Sequence, residues 1–79
     1  MSPEQEQLLC DALVNLGPVD TELGLHAEGV RTIQETLHCT LDEARAALGD
    51  LRVRKRIEET TTLLEHPDQP QFRWVRPTA

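Results

Sequence analysis

A helix start that lies two or three residues after the end of another helix is the feature that most constrains this chain. Apolar residues three and four positions apart predict a helix over residues 27–38. Its apolar face consists of Val30, Ile33 and Leu37. Thr40 followed by Glu43 is a capping box, in which each side chain accepts a hydrogen bond from the other residue's backbone N–H. The sequence therefore predicts two helices joined by a tight corner.

The N-terminal segment predicts a further helix. Ser2 and Gln5 form a second capping box, and Pro3 fits the first helical position, where its missing N–H is harmless. An apolar stripe at helical spacing follows, made of Leu8, Leu9, Ala12, Leu13 and Leu16. A Gly-Pro pair ends this helix. Residues 18–25 contain turn formers without a clear period, which predicts a connection with a short extended segment at residues 23–25.

The helix that begins after Thr40 has distinct inward and outward faces. The core-facing period is carried by Leu41, Ala44, Leu48 and Leu51. The outward positions are Asp42, Arg45, Ala46, Gly49 and Arg52. Two of these outward residues, Ala46 and Gly49, are small. They either relieve packing within the chain or permit the close approach of another surface.

The C-terminal third predicts a β-hairpin. Residues 57–64 are rich in branched side chains that favour an extended chain, and residues 66–70 contain the prolines of a loop. In the return strand, Phe72 and Trp74 alternate with Arg73 and Val75, so that one face can close over the helices. For these two aromatic residues, the only ones in the chain, we expect core positions, with base stacking as the alternative.

Length and charge bound what the chain can be. A chain of 79 residues builds one core, so we expect a single domain over residues 1–76 and a flexible tail over residues 77–79. The net charge is -6, with nine acids and one base in residues 1–44 and seven bases and five acids in residues 45–79. Five bases lie within twelve residues and form either a local positive field or a solvated surface. They are Arg45, Arg52, Arg54, Lys55 and Arg56.

Nothing in the sequence indicates an enzyme or a cofactor. The three histidines lie on different predicted elements without the usual spacing of zinc ligands, and no glycine-rich phosphate loop is present. Cys10 and Cys39 are expected to be small buried hydrophobes. No apolar run approaches the ~18 residues that span a bilayer, and the N-terminus is acidic where a targeting peptide is basic. We therefore expect a cytoplasmic protein without catalytic residues, metal, cofactor, small-molecule substrate or membrane contact.

Three helices, a tight corner before Thr40 and a hairpin that ends in the Phe72 strand together resemble the winged helix-turn-helix, a mainly α fold with a small β-hairpin (α+β). The resemblance lies in element order and apolar spacing. It implies that the helix from Thr40 lies in the major groove of DNA as a recognition helix. It also implies that the hairpin over residues 56–76, which we call the wing, contacts the phosphate backbone or the minor groove of the DNA. Arg45 in that helix could form two hydrogen bonds with a guanine. The positions that the resemblance directs toward base edges are Thr40, Asp42, Glu43, Arg45, Ala46 and Gly49. The implied phosphate contacts are Arg52, Arg54, Lys55, Arg56, Arg73 and Arg76.

The chain departs from that family at two places. Many winged helices have a glycine just before the first wing strand, where this chain has Arg54, Lys55 and Arg56. Asp42 and Glu43 occupy the first turn of the implied recognition helix, where they suit the helix dipole but repel phosphates. Two functions therefore stay open. One is a DNA-binding or transcription-associated protein; the other is an acidic winged-helix module that binds a protein partner, or a second copy of itself, without DNA.

Overall fold

The computed structural model describes residues 1–77 and contains three helices followed by a two-stranded antiparallel hairpin. In chain order the elements are α1 (Pro3–Val14), α2 (Glu22–Leu37), α3 (Leu41–Val53), β1 (Glu58–Thr61) and β2 (Phe72–Val75). The predicted α+β class of three helices and a hairpin is confirmed, and the layout is compatible with a winged helix. Of the predicted tail, residues 78 and 79 lie outside the described residues.

Both predicted capping boxes are present. Gln5 N donates to Ser2 Oγ and Ser2 N donates to Gln5 Oε1, each at 3.2 Å. Thr40 and Glu43 exchange the same two bonds, also at 3.2 Å. These reciprocal bonds satisfy backbone N–H groups that the first helical turn leaves without partners, which is why α1 and α3 begin where the sequence predicts.

The start of α2 was predicted wrongly. The helix begins at Glu22 rather than near residue 27, so the extended segment expected at residues 23–25 is helical. Thr21 is the N-cap and accepts a hydrogen bond from Gly24 N at 2.9 Å. The single bridge to the hairpin lies earlier, where Val19 and Phe72 exchange two backbone hydrogen bonds at 2.8 Å.

The hairpin pairs Glu58 with Val75 and Thr61 with Phe72 at its two ends. The prediction that Leu63 and Leu64 continue the first strand is wrong, because both residues lie in a turn after β1. The carbonyl of Thr62 accepts hydrogen bonds from the backbone N–H groups of the next residues, Glu65 at 3.0 Å and His66 at 2.7 Å. Local backbone bonding therefore overrides the strand preference of these side chains.

The core lies between the three helices and the inner face of β2. Its fully buried large side chains are Leu9, Leu13, Leu25, Ile33, Leu51, Ile57 and Trp74. Trp74 Nε1 donates to the Leu25 carbonyl at 3.3 Å, so the indole closes the core with its one polar atom satisfied. Two predicted core positions are wrong, since Leu8 is 56% exposed and Leu41 is 45% exposed. The packed face of α1 follows Leu9 and Leu13, and Leu8 lies about 100° around the helix from Leu9.

The turn into the wing is made without a glycine. Lys55 adopts the left-handed conformation with φ of 58°. Arg56 N donates to the Leu51 carbonyl at 2.9 Å, and Lys55 N donates to the Arg52 carbonyl at 3.1 Å. This pair of bonds is the Schellman pattern, which usually places glycine where Lys55 stands.

Within residues 1–77, no helix combines the length and apolar character that crossing a membrane requires.

Candidate interaction surface

The outward face of α3 is open along its whole length. Thr40, Asp42, Arg45, Ala46 and Gly49, the positions predicted to face base edges, are all exposed. The Thr40 side chain is engaged in the capping box. The same hydrogen bonds hold the pKa of Glu43 below its ordinary value, the backbone N–H of Thr40 contributing most. The ionised Glu43 carboxylate therefore stabilises α3. This stabilisation is present above the pKa that Glu43 has in the unfolded chain, and it is lost as the pH falls through the lowered pKa of the folded state.

Four outward residues form a straight line on α3, which we call the α3 seam: Asp42, Ala46, Gly49 and Val53. Their spacing of four, three and four residues returns them to one side of the helix. Val53, at the C-terminal end of the seam, is an apolar side chain that is 81% exposed. The sequence prediction missed Val53, although the heptad spacing was the signal that could have identified it.

Within residues 1–77, no packing contact requires a glycine at position 49. A Cβ atom built there has no heavy atom of these residues within 4 Å. A glycine inside a helix costs about 1 kcal/mol relative to alanine. The open surroundings of Gly49 therefore remove one of the two explanations that the sequence left open for this residue, relief of packing within the chain.

The two edges of the α3 seam carry opposite charges. Arg45 and Arg52, seven residues apart, lie on one edge, and Glu43 and Asp50 lie on the other. All four are exposed. Beside the arginine edge runs a groove of about 660 Å³, lined by Gly49, Arg52, Val53, Lys55, Ile57, Glu58 and Glu59. The outer face of α3 thus combines a narrow small-residue line with a defined charge pattern on each side.

Two of the arginines before and within the wing are neutralised by α1. Arg54 Nη1 contacts Glu6 Oε1 at 2.5 Å, an ion pair without hydrogen-bond alignment, and lies 3.3 Å from Asp50 Oδ2. Arg56 Nε lies 3.5 Å from Glu6 Oε2. The Glu6 side chain is only 13% exposed, so its charge is directed at these two guanidinium groups rather than at solvent.

The other cations predicted to contact DNA fall into three groups. Arg76 pairs with Asp11 on α1. The Arg52 guanidinium carbon lies 5.6 Å from the centre of the Trp74 ring, a cation–π distance. Within residues 1–77, no carboxylate lies within 4.0 Å of Arg45, Lys55 or Arg73. Of the six predicted phosphate contacts, the structure therefore binds Arg54, Arg56 and Arg76 to acidic residues of α1.

The partners Glu6 and Asp11 were not predicted. They lie more than 40 residues before the arginines that they contact, and neither helical spacing nor a motif connects them. Cys10 lies between them on α1 and is buried, as predicted. Its Sγ donates to the Arg56 carbonyl at 3.7 Å, and burial raises the pKa of its thiol above the ordinary value. Cys39 is only half-buried.

Comparison of the chain with protein-family models, with curated proteins and with solved structures gave no match.

Proposed function

We propose that this chain is a winged-helix protein-interaction module that associates with a second copy of itself through the α3 seam. The observation that carries the proposal is the exposed Gly49, which lies on open surface between two oppositely charged edges. Small residues on a helix let another backbone approach closely, and flanking charges set the partner and its direction. Val53 supplies exposed apolar surface at one end of the same line.

The charge pattern favours parallel pairing. In a parallel pair related by a two-fold axis, the arginine edge of one helix meets the acidic edge of the other, which brings Arg45 of one copy opposite Asp50 of its partner. An antiparallel pair would place arginine edge against arginine edge. We therefore expect the two copies of α3 to run in the same direction.

DNA binding is the weaker of the two functions. Arg54, Arg56 and Arg76 have acidic partners on α1, and a phosphate would have to displace those carboxylates. The net charge of -6 opposes approach to a polyanion. DNA binding stays a prediction from the fold resemblance, with Arg45, Lys55 and Arg73 as the cations that would carry it.

Bulk at Gly49 tests the proposal. Gly49→Gln places a long side chain in the seam while improving the helix propensity of α3, so the fold should be retained. We expect wild-type protein to show a concentration-dependent dimer by sedimentation velocity and the variant to stay monomeric at concentrations where the wild type dimerises. Ala27→Gln adds a similar side chain at an exposed position of α2 and serves as the matched control, with wild-type association.

Charge reversal tests the direction of pairing. Arg45→Glu and Asp50→Lys should each weaken the dimer, and the double variant should recover most of the lost affinity. The double variant also controls for loss of the local contact between Asp50 and Arg54.

A wild-type chain that stays monomeric over the whole concentration range contradicts the proposal. If that monomer also binds a random-sequence duplex with an affinity that falls steeply as salt rises, the DNA-binding prediction replaces it.

A further inference from the structure

Three potential metal ligands converge at the point where α2 faces the hairpin. Glu22 and His26 lie one helical turn apart on α2, and Glu59 projects from β1. Their ligand atoms all lie within 4.8 Å of one another. The sequence prediction of no metal site relied on the separation of the histidines from one another, and it did not consider carboxylate ligands brought in by the fold.

His26 is held in place from two sides. Its Nε2 lies 2.7 Å from Glu59 Oε2, and its ring centre lies 5.4 Å from that of Trp74, which is fully buried. The imidazole is therefore oriented with Nε2 toward Glu59, and Glu22 offers a carboxylate oxygen within 4.8 Å of a ligand nitrogen of the same ring. Pre-positioned ligands reduce the ordering cost of binding.

The spacing of these groups fits a small divalent ion. In a tetrahedral site with bonds of about 2.0–2.1 Å, neighbouring ligand atoms lie about 3.3 Å apart. The present Nε2 to Oε2 distance of 2.7 Å needs to open by about half an ångström, with the imidazole proton moving to Nδ1. Glu22 lies at the exposed first position of α2, so its side chain is free to complete the triad.

Electrostatics favour a cation at this place. The N-terminus of α2 carries roughly half a positive charge, which opposes a cation. Two carboxylates supply a formal charge of -2 and outweigh it. One imidazole and two carboxylates also favour Zn²⁺ and neighbouring transition ions over Mg²⁺ or Ca²⁺, which prefer oxygen ligands alone.

We propose that Glu22, His26 and Glu59 bind one Zn²⁺ ion, with the fourth position left to water. The ion would connect α2 to β1 and so fasten the wing to the helices. This site shares no residue with the α3 seam, although Glu59 lines the groove beside it, and the proposal does not depend on self-association.

Zinc titration of the full chain, with any affinity tag removed, tests the proposal. Isothermal titration calorimetry should give one saturable ion per chain, and binding should persist in a large excess of Mg²⁺. At a free zinc concentration a hundredfold above Kd, the thermal midpoint should rise by roughly 10 to 20 °C. Co²⁺ used as a probe should give the visible absorption bands of a tetrahedral ion.

Three variants separate a metal site from a structural hydrogen bond. Glu22→Gln leaves the contact between His26 and Glu59 intact and should weaken zinc binding at least about tenfold. His26→Gln should abolish one-to-one binding. Glu58→Gln makes the same charge change one residue from Glu59, on the opposite face of the strand, and should bind zinc like the wild type.

Two results would overturn the proposal. One is the absence of saturable one-to-one binding by the folded wild type. The other is equal weakening by Glu22→Gln and Glu58→Gln, which would show only diffuse attraction of zinc to an acidic surface. Neither result depends on whether the chain dimerises, since both are measured as ions bound per chain.

Discussion

Two helical glycines in this chain occupy opposite environments. Gly29, in the middle of α2, is buried beneath the indole, and a Cβ built there would lie 3.0 Å from Trp74 Nε1. The indole N–H donates a hydrogen bond to the Leu25 carbonyl, and the Trp74 side chain is fully buried. The indole therefore has little room to move. Gly49 on α3 faces open space. The same substitution should therefore have opposite effects at the two sites.

Alanine at Gly29 should destabilise the fold, while alanine at Gly49 should stabilise it. We expect Gly29→Ala to lower the free energy of unfolding by about 1 kcal/mol, because overpacking against Trp74 exceeds the gain in helix propensity. Gly49→Ala should raise it by about 1 kcal/mol in the monomer. Denaturant unfolding of dilute protein, followed by Trp74 fluorescence and by circular dichroism, measures both. Equal stabilisation by the two variants would mean that the indole relaxes and that close packing does not require Gly29.

At the scale of elements, α1 anchors the base of the wing. Glu6 contacts Arg54 and Arg56, Asp11 contacts Arg76, and the sulfur of Cys10 contacts the Arg56 backbone between them. Both ends of the hairpin are thereby attached to α1. Three of the bases that suggest a nucleic-acid surface in the sequence, Arg54, Arg56 and Arg76, pair with acidic residues of α1 in the structure.

Removing the charge of Glu6 tests this anchoring. Glu6→Gln should destabilise the chain by about 1 kcal/mol, since a largely buried carboxylate is lost while both arginines remain partly hydrated. The loss should be local, so that hydrogen exchange accelerates more in β1 and β2 than in α2 when the variant is compared with the wild type. Glu4→Gln, at an exposed position in the first turn of the same helix, is the control and should leave the exchange rates of the wing unchanged. Uniform acceleration of exchange in every element would contradict a specific role for Glu6.

The predictability of each element follows from how local its signals are. α1 and α3 begin at capping boxes, which are complete within four residues, and both starts were predicted. Thr21 also caps a helix, but Gly24 stands where a capping box has Glu or Gln, and the neighbouring Leu23 is exposed and interrupts the apolar period. Leu63 and Leu64 have side chains common in strands, yet backbone hydrogen bonds place them in a turn.

The candidate surface was predictable only in part. The outward position of Ala46 and Gly49 follows from helical periodicity and was predicted. The neutralisation of Arg54, Arg56 and Arg76 could not be predicted, because it depends on how α1 lies against the wing base. The same holds for the approach of Glu59 to His26, which lies 33 residues earlier in the chain.

At the scale of the whole molecule, the uneven charge of the sequence is partly compensated inside the fold. In the ion pairs between α1 and the arginines at the base of the wing, the acidic N-terminal half supplies the carboxylates and the C-terminal half supplies the guanidinium groups. Two copies with a net charge of -6 repel each other at long range, so association requires a local complementary surface. The α3 seam, with its arginine edge and its acidic edge, is the surface that we propose for this role.

Disulfide trapping at Ala46 tests the central claim most directly, because a parallel two-fold pair brings this residue opposite its own copy. Two Cα atoms must lie within about 4.4–6.8 Å for a disulfide to form without distortion. In a Cys39→Ser background, we expect Ala46→Cys to give a covalent dimer under mild oxidation much faster than Ala27→Cys, an exposed control on α2. Equal, slow cross-linking of the two variants would contradict pairing through the α3 seam.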